Sequence, residues 1–315
     1  MRSKRGLLVV SLITVLFLPI QALATDPFAK VGTYSLVFLK IGPSARATGM
    51  GNAFTAIAND ASATYWNPAG MVDVTQTAVS LEHTFWPADV SLDFASAVFT
   101  LPFFPGSVGL TARALSLDPQ KERTVFLPDG TGKEFDAGDM SFGLSYAQFF
   151  TDKFSAGATV HFIHSGLAEK SVNTYAVDFG LIYRIGYMGM RVGMMIQSLG
   201  GKVKYDTRDA KIPTMFKVGL SMSAYQRGAH SLLGVGEFAH PSDNTETMNL
   251  GAEYSFNQFF YLRSGYNFGY DSRGMAAGLG LKIDTTQTSN LNFDYSWEDM
   301  SFLGDVHRFS LGFTY

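Results

Sequence analysis

The sequence predicts an all-β fold: a 14-stranded antiparallel transmembrane β-barrel with an N-terminal hatch in its lumen. From Thr75 onward, apolar residues alternate with small or polar ones at period two, in runs separated by turn residues. Downstream of residue 24 no run of about 18 apolar residues occurs, which excludes helical membrane spans. Charged residues lie mid-run on the side of the small residues, where a packed core would not accommodate them.

The first 24 residues predict export. A basic start, "MRSKR", precedes an apolar run and the small-residue motif "ALA" that ends at Ala24, which is the pattern of a cleaved signal peptide. We therefore expect cleavage after Ala24, a hatch over residues 25–74 and a barrel over residues 75–315. The chain has no cysteine, which excludes disulfides and thiolate metal sites. Its net charge of -3, without a block of like charge, argues against nucleic acid as a partner.

The alternating runs are long enough for tilted membrane strands and are even in number. The connections between them are mostly short on one side and longer on the other, so we expect the short turns and both chain termini on the periplasmic side. The fourteen runs lie near 75–86, 90–101, 107–117, 138–150, 153–165, 172–185, 188–199, 212–223, 229–240, 245–256, 258–269, 273–284, 289–299 and 305–315.

The positions of the charged residues indicate which face of the strands contacts lipid. In "MSFGLSYAQF" one face carries Met140, Phe142, Leu144 and Tyr146, and a soluble barrel would turn such a face inward. The opposite, small-residue face of the runs carries the charges, which suits a polar lumen in which opposite charges neutralise each other. The apolar face is therefore expected to face lipid. The expected lumenal charges are Arg113, Asp178, Arg191, Lys217, Glu237, Glu253, Arg263, Asp294 and Arg308.

Aromatic residues cluster at the ends of the runs, as in the interfacial girdle of a membrane barrel. Phe149 and Tyr187 represent one rim, and Trp86 and Trp297 the other. The last run ends in the aromatic Tyr315, which is similar to the insertion signal of bacterial outer-membrane barrels. We therefore expect an outer-membrane location in a Gram-negative-type bacterium, with membrane lipid and the outer-membrane assembly machinery as partners.

Residues 25–74 do not alternate and are rich in small side chains. A short helix is possible around Ala53 to Ala58, and the Asn67-Pro68-Ala69 triplet has the chemistry of a turn. Small side chains let backbone pack closely against other backbone, so we expect this segment to plug the lumen. The triplet would be the corner at which the plug joins the first strand.

The segment Phe38 to Met71 resembles the N-terminal signature of PorV/PorQ-type proteins, within the FadL-like outer-membrane family. The matching residues are Ile41, Gly42, Ser44, Ala45, Arg46, Gly49, Met50, Gly51, Asp60, Ala61, Trp66, Asn67, Pro68 and Ala69. The resemblance implies a fourteen-stranded barrel with an N-terminal hatch. It implies passage of hydrophobic small molecules across the outer membrane for the FadL type, or binding of exported secretion-system proteins for the PorV type.

The outer loops are too short for the helical hairpins that form the first ligand groove of the fatty-acid channels. The best candidate for a ligand or partner site on the surface is the loop 118–137, in which Val125, Phe126 and Leu127 form an apolar cluster. The alternative is a loop that tucks these side chains onto the barrel rim.

The sequence carries no catalytic signature, so we expect no catalytic residues, no cofactor and no metal site. G-x-S-x-G and H-E-x-x-H are absent, and His161 and His164, three residues apart, fall on opposite faces of a strand. The expected function is passive transport of hydrophobic molecules through a gated lumen, and the alternative is a PorV-like carrier of exported proteins. The expected hatch and gating residues are Arg46, Gly49, Gly51, Asn67, Pro68 and Ala69.

Overall fold

The computed structural model describes residues 32–100, 105–205, 209–286 and 288–315. The expected signal peptide, its cleavage site and residues 25–31 lie outside the described residues. Strands dominate the fold because period-two alternation continues over most of the chain beyond residue 75. Among the described residues, no helix is both long enough and apolar enough to cross a membrane.

The strands form one closed barrel, as predicted. Each barrel strand pairs antiparallel with its neighbours along the chain, and the first strand pairs with the last, so that Ala78 lies opposite Thr314. Closure removes the open edges that a sheet in lipid could not satisfy. The barrel strands are β1 (Ala78–Trp86), β2 (Val90–Thr100), β3 (Ser107–Leu117), β6 (Ala137–Thr151), β7 (Phe154–Leu167), β8 (Lys170–Arg184), β9 (Arg191–Gly200), β12 (Met215–Arg227), β13 (His230–Pro241), β14 (Thr247–Phe256), β15 (Phe260–Phe268), β16 (Met275–Asp284), β17 (Asn290–Asp299) and β18 (Asp305–Thr314).

Two short hairpins extend from the connections. The first pairs β4 (Gln120–Lys121) with β5 (Glu134–Phe135), and the second pairs β10 (Lys202–Lys204) with β11 (Asp209–Lys211). Both lie at the same end of the barrel, which we call the long-loop rim. The opposite end, which carries the turn between β6 and β7 and the C-terminal Tyr315, is the short-turn rim.

The apolar face of the strands points outward, as predicted. Along β6 the exposed side chains are Met140, Phe142 and Leu144, whereas the alternating Ser141 and Ser145 are buried. A closed wall with an apolar outer surface suits an environment of acyl chains, because every backbone group of the wall is satisfied internally.

The first described residues lie at the long-loop rim. The Ser35 amide donates to Lys211 O at 2.9 Å, and the Tyr34 hydroxyl donates to Ser242 O at 3.0 Å. Tyr315 lies at the other rim, where its amide donates to Thr77 O at 2.8 Å. The expected N-terminal end lies outside the described residues, whereas residues 34 and 35 lie at the long-loop rim, because the chain passes down through the barrel before β1 begins.

Residues 32–74, which we call the lumenal segment, contain four short helices. They are 3-10 helices at Val37–Lys40 and Pro68–Asp73 and α-helices α1 (Ala45–Gly49) and α2 (Ala63–Trp66). The helix expected around Ala53 to Ala58 is wrong, since these residues form turns. The amides of Phe54 and Thr55 donate to the Glu237 carboxylate on the wall, at 3.1 and 2.9 Å, instead of serving a helix.

Candidate functional site

The lumenal segment contacts the barrel wall backbone to backbone. A Cβ added to Gly193 of β9 would lie 2.3 Å from Thr55 O, and one added to Gly265 of β15 would lie 2.1 Å from the Gly51 amide nitrogen. These distances are too short for any side chain, so glycine on the wall is required by close approach. Gly49 likewise faces a wall glycine. The small residues therefore allow the backbone of the lumenal segment to contact the backbone of the wall directly.

Polar contacts fix the segment on one side of the barrel. The hydroxyl oxygens of Thr48 and Ser296 lie 2.7 Å apart, and the Ala45 amide donates to Ser310 Oγ at 2.9 Å. Both contacts are buried and join α1 to strands β17 and β18. Buried polar atoms are costly unless paired, so these bonds favour one position of α1 against the wall.

The corner at Asn67 is fixed from both sides. Asn67 Nδ2 donates to Thr55 O at 2.8 Å and to Leu181 O at 3.2 Å, and Asn67 Oδ1 accepts from the Ala69 amide at 3.1 Å. Pro68 occupies the start of the last 3-10 helix, where a missing amide is not a loss. Ser155 Oγ donates to Ala69 O at 2.9 Å, which ties the corner to β7.

Arg46 joins the lumenal segment to a charge cluster on the wall. Its guanidinium donates to both carboxylate oxygens of Glu253, at 3.1 and 3.3 Å, and to Asp60 at 3.0 Å. Arg263 also donates to Glu253, at 2.7 Å, and to Asp294. The carboxylates of Glu253 and Asp60 stabilise the charged guanidinium and compensate for its burial.

A second charge pair, also buried, lies nearer the long-loop rim. Arg308 donates to Glu298 at 2.8 Å, and Asn52 of the segment donates to the other oxygen of Glu298 at 3.2 Å. The guanidiniums of Arg308 and Arg273 both lie 5.5 Å from the ring of Trp86. The expected place of Trp86 in an outer girdle is therefore wrong: its position in β1 has the same parity as the inward Glu82 and Thr84, and cation–π contacts hold it inside.

Arg113 contacts the segment without a carboxylate. Its guanidinium donates to Leu39 O at 3.2 Å, to Phe38 O at 2.5 Å and to Ile41 O. These carbonyls belong to the end of the first 3-10 helix, where Phe38 O also accepts the Ile41 amide at 3.0 Å and Leu39 O the Tyr65 hydroxyl at 3.1 Å. The same guanidinium lies 5.1 Å from the Tyr65 ring. Arg113 therefore holds the turn at which the chain enters the barrel.

Asp73 anchors the other end of the segment. It accepts from Arg184 at 2.8 Å and from Arg191 at 2.8 Å, at the short-turn rim. The lumenal segment is thus held by Arg113 near its start, by the Arg46 cluster in its middle and by this pair of arginines at its end.

A cavity of about 530 Å³ opens on the long-loop side of the segment. Its lining combines Phe38, Tyr65 and Trp66 of the segment with Trp86 and Lys217 of the wall. The Lys217 ammonium lies 5.1 Å from the Trp66 ring. Charged side chains, among them Asp139, Glu237 and Arg273, share the lining with these aromatic faces, and aromatic surface beside placed polar groups is found in small-molecule sites. We call this space the outer cavity.

A second cavity, of about 450 Å³, lies on the short-turn side and shares no lining residue with the outer cavity. It is lined by Arg46, Asp60, Glu82 and Lys282, among others, and is strongly polar. We call it the inner cavity. Between the two lies the packed part of the lumenal segment, in which Phe54 is fully buried.

Ser141, His161 and Asp178 form a row inside the wall that superficially resembles a hydrolase triad. Ser141 Oγ lies 3.5 Å from His161 Nδ1, and His161 Nε2 lies 2.9 Å from Asp178 Oδ2. The adjoining cavity has a volume of about 20 Å³, room for one water molecule and for no acyl group. Asp178 also accepts the Ser198 amide at 2.6 Å, across an irregularity between β8 and β9. The three side chains therefore stabilise the barrel wall and do not form a site for an acyl substrate.

The apolar residues of the loop 118–137 point into solvent. Val125 and Phe126 are 94% and 92% exposed, and Leu127 is half-exposed, at the tip of the hairpin formed by β4 and β5. The alternative of a loop tucked onto the rim is therefore wrong. No described cavity is lined by these three residues.

The expected lumenal charges all face the barrel interior, and several of their polar partners, among them Glu298, Asp73 and Asn52, were not singled out from the sequence. Glu298 shares the parity of Asp294 along β17 and could have been found from it. Asp73 and Asn52 lie in the irregular segment, where no periodicity indicates which wall residue they meet.

Comparison with known proteins identifies the fold. No family model and no curated protein matches the chain. Among solved structures, the Pseudomonas putida toluene transporter TodX is similar with a TM-score of 0.62 and 12% identity, over 89% of this chain and 98% of that one. The Ralstonia pickettii toluene transporter TbuX gives 0.58 and 13%, over 85% and 96%.

A Pseudomonas aeruginosa FadL homologue gives a TM-score of 0.57 and 11% identity, over 87% of this chain and 98% of that one. Identities this low relate the chains by backbone architecture and not by individual residues. The chain therefore has the fold of the FadL-type barrels.

Proposed function

We propose that this chain is a passive transporter of hydrophobic small molecules across the outer membrane, with the lumenal segment as its hatch. The observation that carries the proposal is a pair of cavities that share no lining residue and lie on opposite sides of one packed segment in a closed barrel. A path interrupted by a single removable layer is the geometry of a gated channel.

The outer cavity is the entry site in this proposal. Its aromatic lining from Phe38, Tyr65, Trp66 and Trp86 suits an apolar or aromatic ligand, because ring faces gain contact area without a hydrogen-bonding requirement. Ligand then passes the hatch and reaches the polar inner cavity, from which an apolar molecule is released readily.

Gating is assigned to the contacts that hold the hatch. Arg46 and the Asn67-Pro68-Ala69 corner are the gating residues, and Gly49 and Gly51 allow the close approach. Every barrel strand is paired with both of its neighbours over the described residues. The pairing shifts register locally between β8 and β9 but is kept on both sides of that point, and this favours displacement of the hatch over a gap in the wall as the way out.

The named functions of the structural neighbours support the proposal, since TodX and TbuX are toluene transporters. The apolar outer surface, the expected signal peptide and the C-terminal aromatic support an outer-membrane location. Insertion by the outer-membrane assembly machinery is part of the same proposal.

Deletion of residues 28–60 tests the hatch. We expect larger conductance and faster leakage of small solutes through the reconstituted deletion variant than through the full barrel. A control deletion at the exposed loop tip, residues 124–128, should leave both unchanged. Equal conductance of the full chain and the hatch deletion would count against the proposal.

A carrier of exported proteins is the second candidate. It rests on the PorV/PorQ resemblance over Phe38 to Met71 and on the exposed side chains Val125 and Phe126, which no part of the described chain covers. The transporter names of the structural neighbours do not favour it. Pull-down from detergent extracts with the full chain and with V125S/F126S tests it: a protein partner lost in the variant would support the carrier.

A further inference from the structure

Two oppositely charged side chains of the outer cavity do not pair with each other. Lys217 of β12 and Glu237 of β13 both line this cavity and are only 5% and 3% exposed. Lys217 is opposite Ala239 on β13, two residues from Glu237, so the two are diagonal neighbours at about 7–8 Å. Among the described residues, neither side chain takes part in an ion pair.

The lumenal segment holds the two groups apart. Glu237 accepts two backbone amides of the segment, at 3.1 and 2.9 Å, through Oε2 alone. The Lys217 ammonium instead lies 5.8 Å from the ring of Tyr65 and 5.1 Å from the ring of Trp66. Within the part of the chain that the structure describes, no oxygen accepts from this ammonium and no donor reaches Glu237 Oε1. The cavity therefore contains a donor and an acceptor that are both unsatisfied.

The aromatic residues of the lining have no such requirement. The Tyr65 hydroxyl donates to Leu39 O at 3.1 Å, and Trp66 Nε1 donates to Pro43 O at 3.1 Å, so only their ring faces remain for a ligand. Asn249 of β14 also lines the cavity, directly opposite Glu237, and its buried Oδ1 has no donor among the described residues. The unmet hydrogen-bonding capacity is thus concentrated beside Glu237.

The charges around this point favour an uncharged ligand. A carboxylate would pair with Lys217 but would lie in a cavity that also holds Glu237 and Asp139. An ammonium would pair with Glu237 but would lie near Lys217 and Arg273. A hydrocarbon would leave both groups without a partner in a space from which it excludes water. A hydroxyl accepts from an ammonium and donates to a carboxylate through a single oxygen atom.

We propose that the outer cavity selects aromatic molecules that carry an uncharged hydroxyl group, that is, phenols and aromatic alcohols. The hydroxyl accepts from Lys217 and donates to Glu237, and the ring packs among the aromatic side chains. This inference rests on the proposed function, because it assigns the substrate class of the entry site. A site built to pair with a hydroxyl discriminates against an analogue that lacks it, since its buried polar groups then lose their partner.

The test is competitive binding to the purified full chain in detergent. p-Cresol and p-xylene have almost the same shape and differ in a hydroxyl against a methyl group, and p-toluate carries a carboxylate. Each competes with N-phenyl-1-naphthylamine, whose binding quenches tryptophan emission. We expect p-cresol to bind about tenfold more tightly than the other two, as a hydrogen bond to a charged group provides. p-Xylene is the more hydrophobic, so a cavity without polar partners would give the opposite order.

Three variants locate the effect. K217M keeps the length of the side chain and removes the donor, so the preference for p-cresol over p-xylene should be lost. Partition of the ligands into detergent is the same for both chains and cancels from this comparison. E237Q keeps one oxygen for the amides of the segment and removes the acceptor at Oε1, and should reduce the preference as well. K153M, at an exposed lysine of the turn between β6 and β7, should retain it.

Heat-modifiable gel mobility checks that each variant is folded. Tighter binding of p-xylene or p-toluate than of p-cresol to the natural chain overturns the inference, as does a preference for p-cresol that K217M leaves unchanged. These outcomes leave the proposed transport of hydrophobic molecules standing. Displacement of the dye by none of the three ligands overturns the assignment of the entry site together with this inference, and the conductance of the hatch deletion then decides separately whether the barrel is a gated channel.

Discussion

Thr48 and Ser296 place two hydroxyl oxygens 2.7 Å apart, one on the lumenal segment and the other on the barrel wall. The contact is fully buried and spans 248 residues of sequence. It marks a point at which the segment and the wall can be covalently joined, because the natural chain has no cysteine to interfere.

The double variant T48C/S296C should therefore lock the proposed hatch. A disulfide would hold α1 against β17, so we expect uptake of a hydrophobic probe into proteoliposomes to fall on oxidation and to recover on reduction. The control S145C/T159C joins β6 to β7 within the wall, where the two hydroxyls lie 2.8 Å apart. Uptake that is insensitive to oxidation in T48C/S296C would mean that the segment need not move there.

Substitution of Gly193 should displace the segment. A valine Cβ there would meet Thr55 O at 2.3 Å, and overpacking of this kind typically costs about 1–3 kcal/mol. We expect G193V to raise single-channel conductance, because the backbone around Thr55 must shift while β9 can keep its pairing. Gly234 has no atom within 4 Å of an added Cβ, so G234V is the matched control. Identical conductance of G193V and G234V would contradict the close-contact account.

Loss of Arg46 should loosen the lumenal segment, the proposed hatch, without unfolding the barrel. R46A leaves Asp60 with Ser62 as its partner but with no ion pair among the described residues, and leaves Glu253 with Arg263; hydrogen bonds to charged groups contribute about 1.5–3 kcal/mol. We expect proteolysis within residues 45–66 at lower protease concentration, with heat-modifiable mobility of the barrel retained. R123A, in the exposed loop, provides the control. Unaltered protease resistance of R46A would show that Arg46 does not hold the segment.

Removal of Trp86 should weaken ligand binding in the outer cavity. W86L removes the ring that lies beneath Arg273 and Arg308, and an aromatic contact worth about 0.5–1.5 kcal/mol corresponds to roughly two- to tenfold weaker binding. N-phenyl-1-naphthylamine, an apolar aromatic molecule that absorbs where tryptophan emits, is a suitable probe, and its binding is measured by quenching of the remaining tryptophans. W297L, on the lipid-facing side of β17, should bind as the unmodified chain does. Equal loss in both variants would point to a general effect on the barrel.

The strand pattern was predictable because its cause is local. Parity along β6 assigns Phe142 and Leu144 to lipid and Ser145 to the interior, and one residue of slip would reverse every side chain. The same parity, applied to β1, would have moved Trp86 from the expected girdle to the inside. The exposed tip at Phe126 was not predictable, since an apolar loop residue has the same composition whether it is covered or free.

By itself, the sequence determined a closed barrel of fourteen strands and its apolar outer face, and it predicted that the small-residue segment before the first strand plugs the lumen. Alternation, strand length and glycine content are local properties of the sequence. In lipid, strands can satisfy all their backbone hydrogen bonds only by closing into a barrel. Only the tertiary structure decided that the chain enters at the long-loop rim, that Arg46 meets Glu253, and that Asp73 meets Arg184. These pairings depend on closure of β1 against β18 and on contacts between residues that lie 207 and 111 positions apart, which no local pattern encodes.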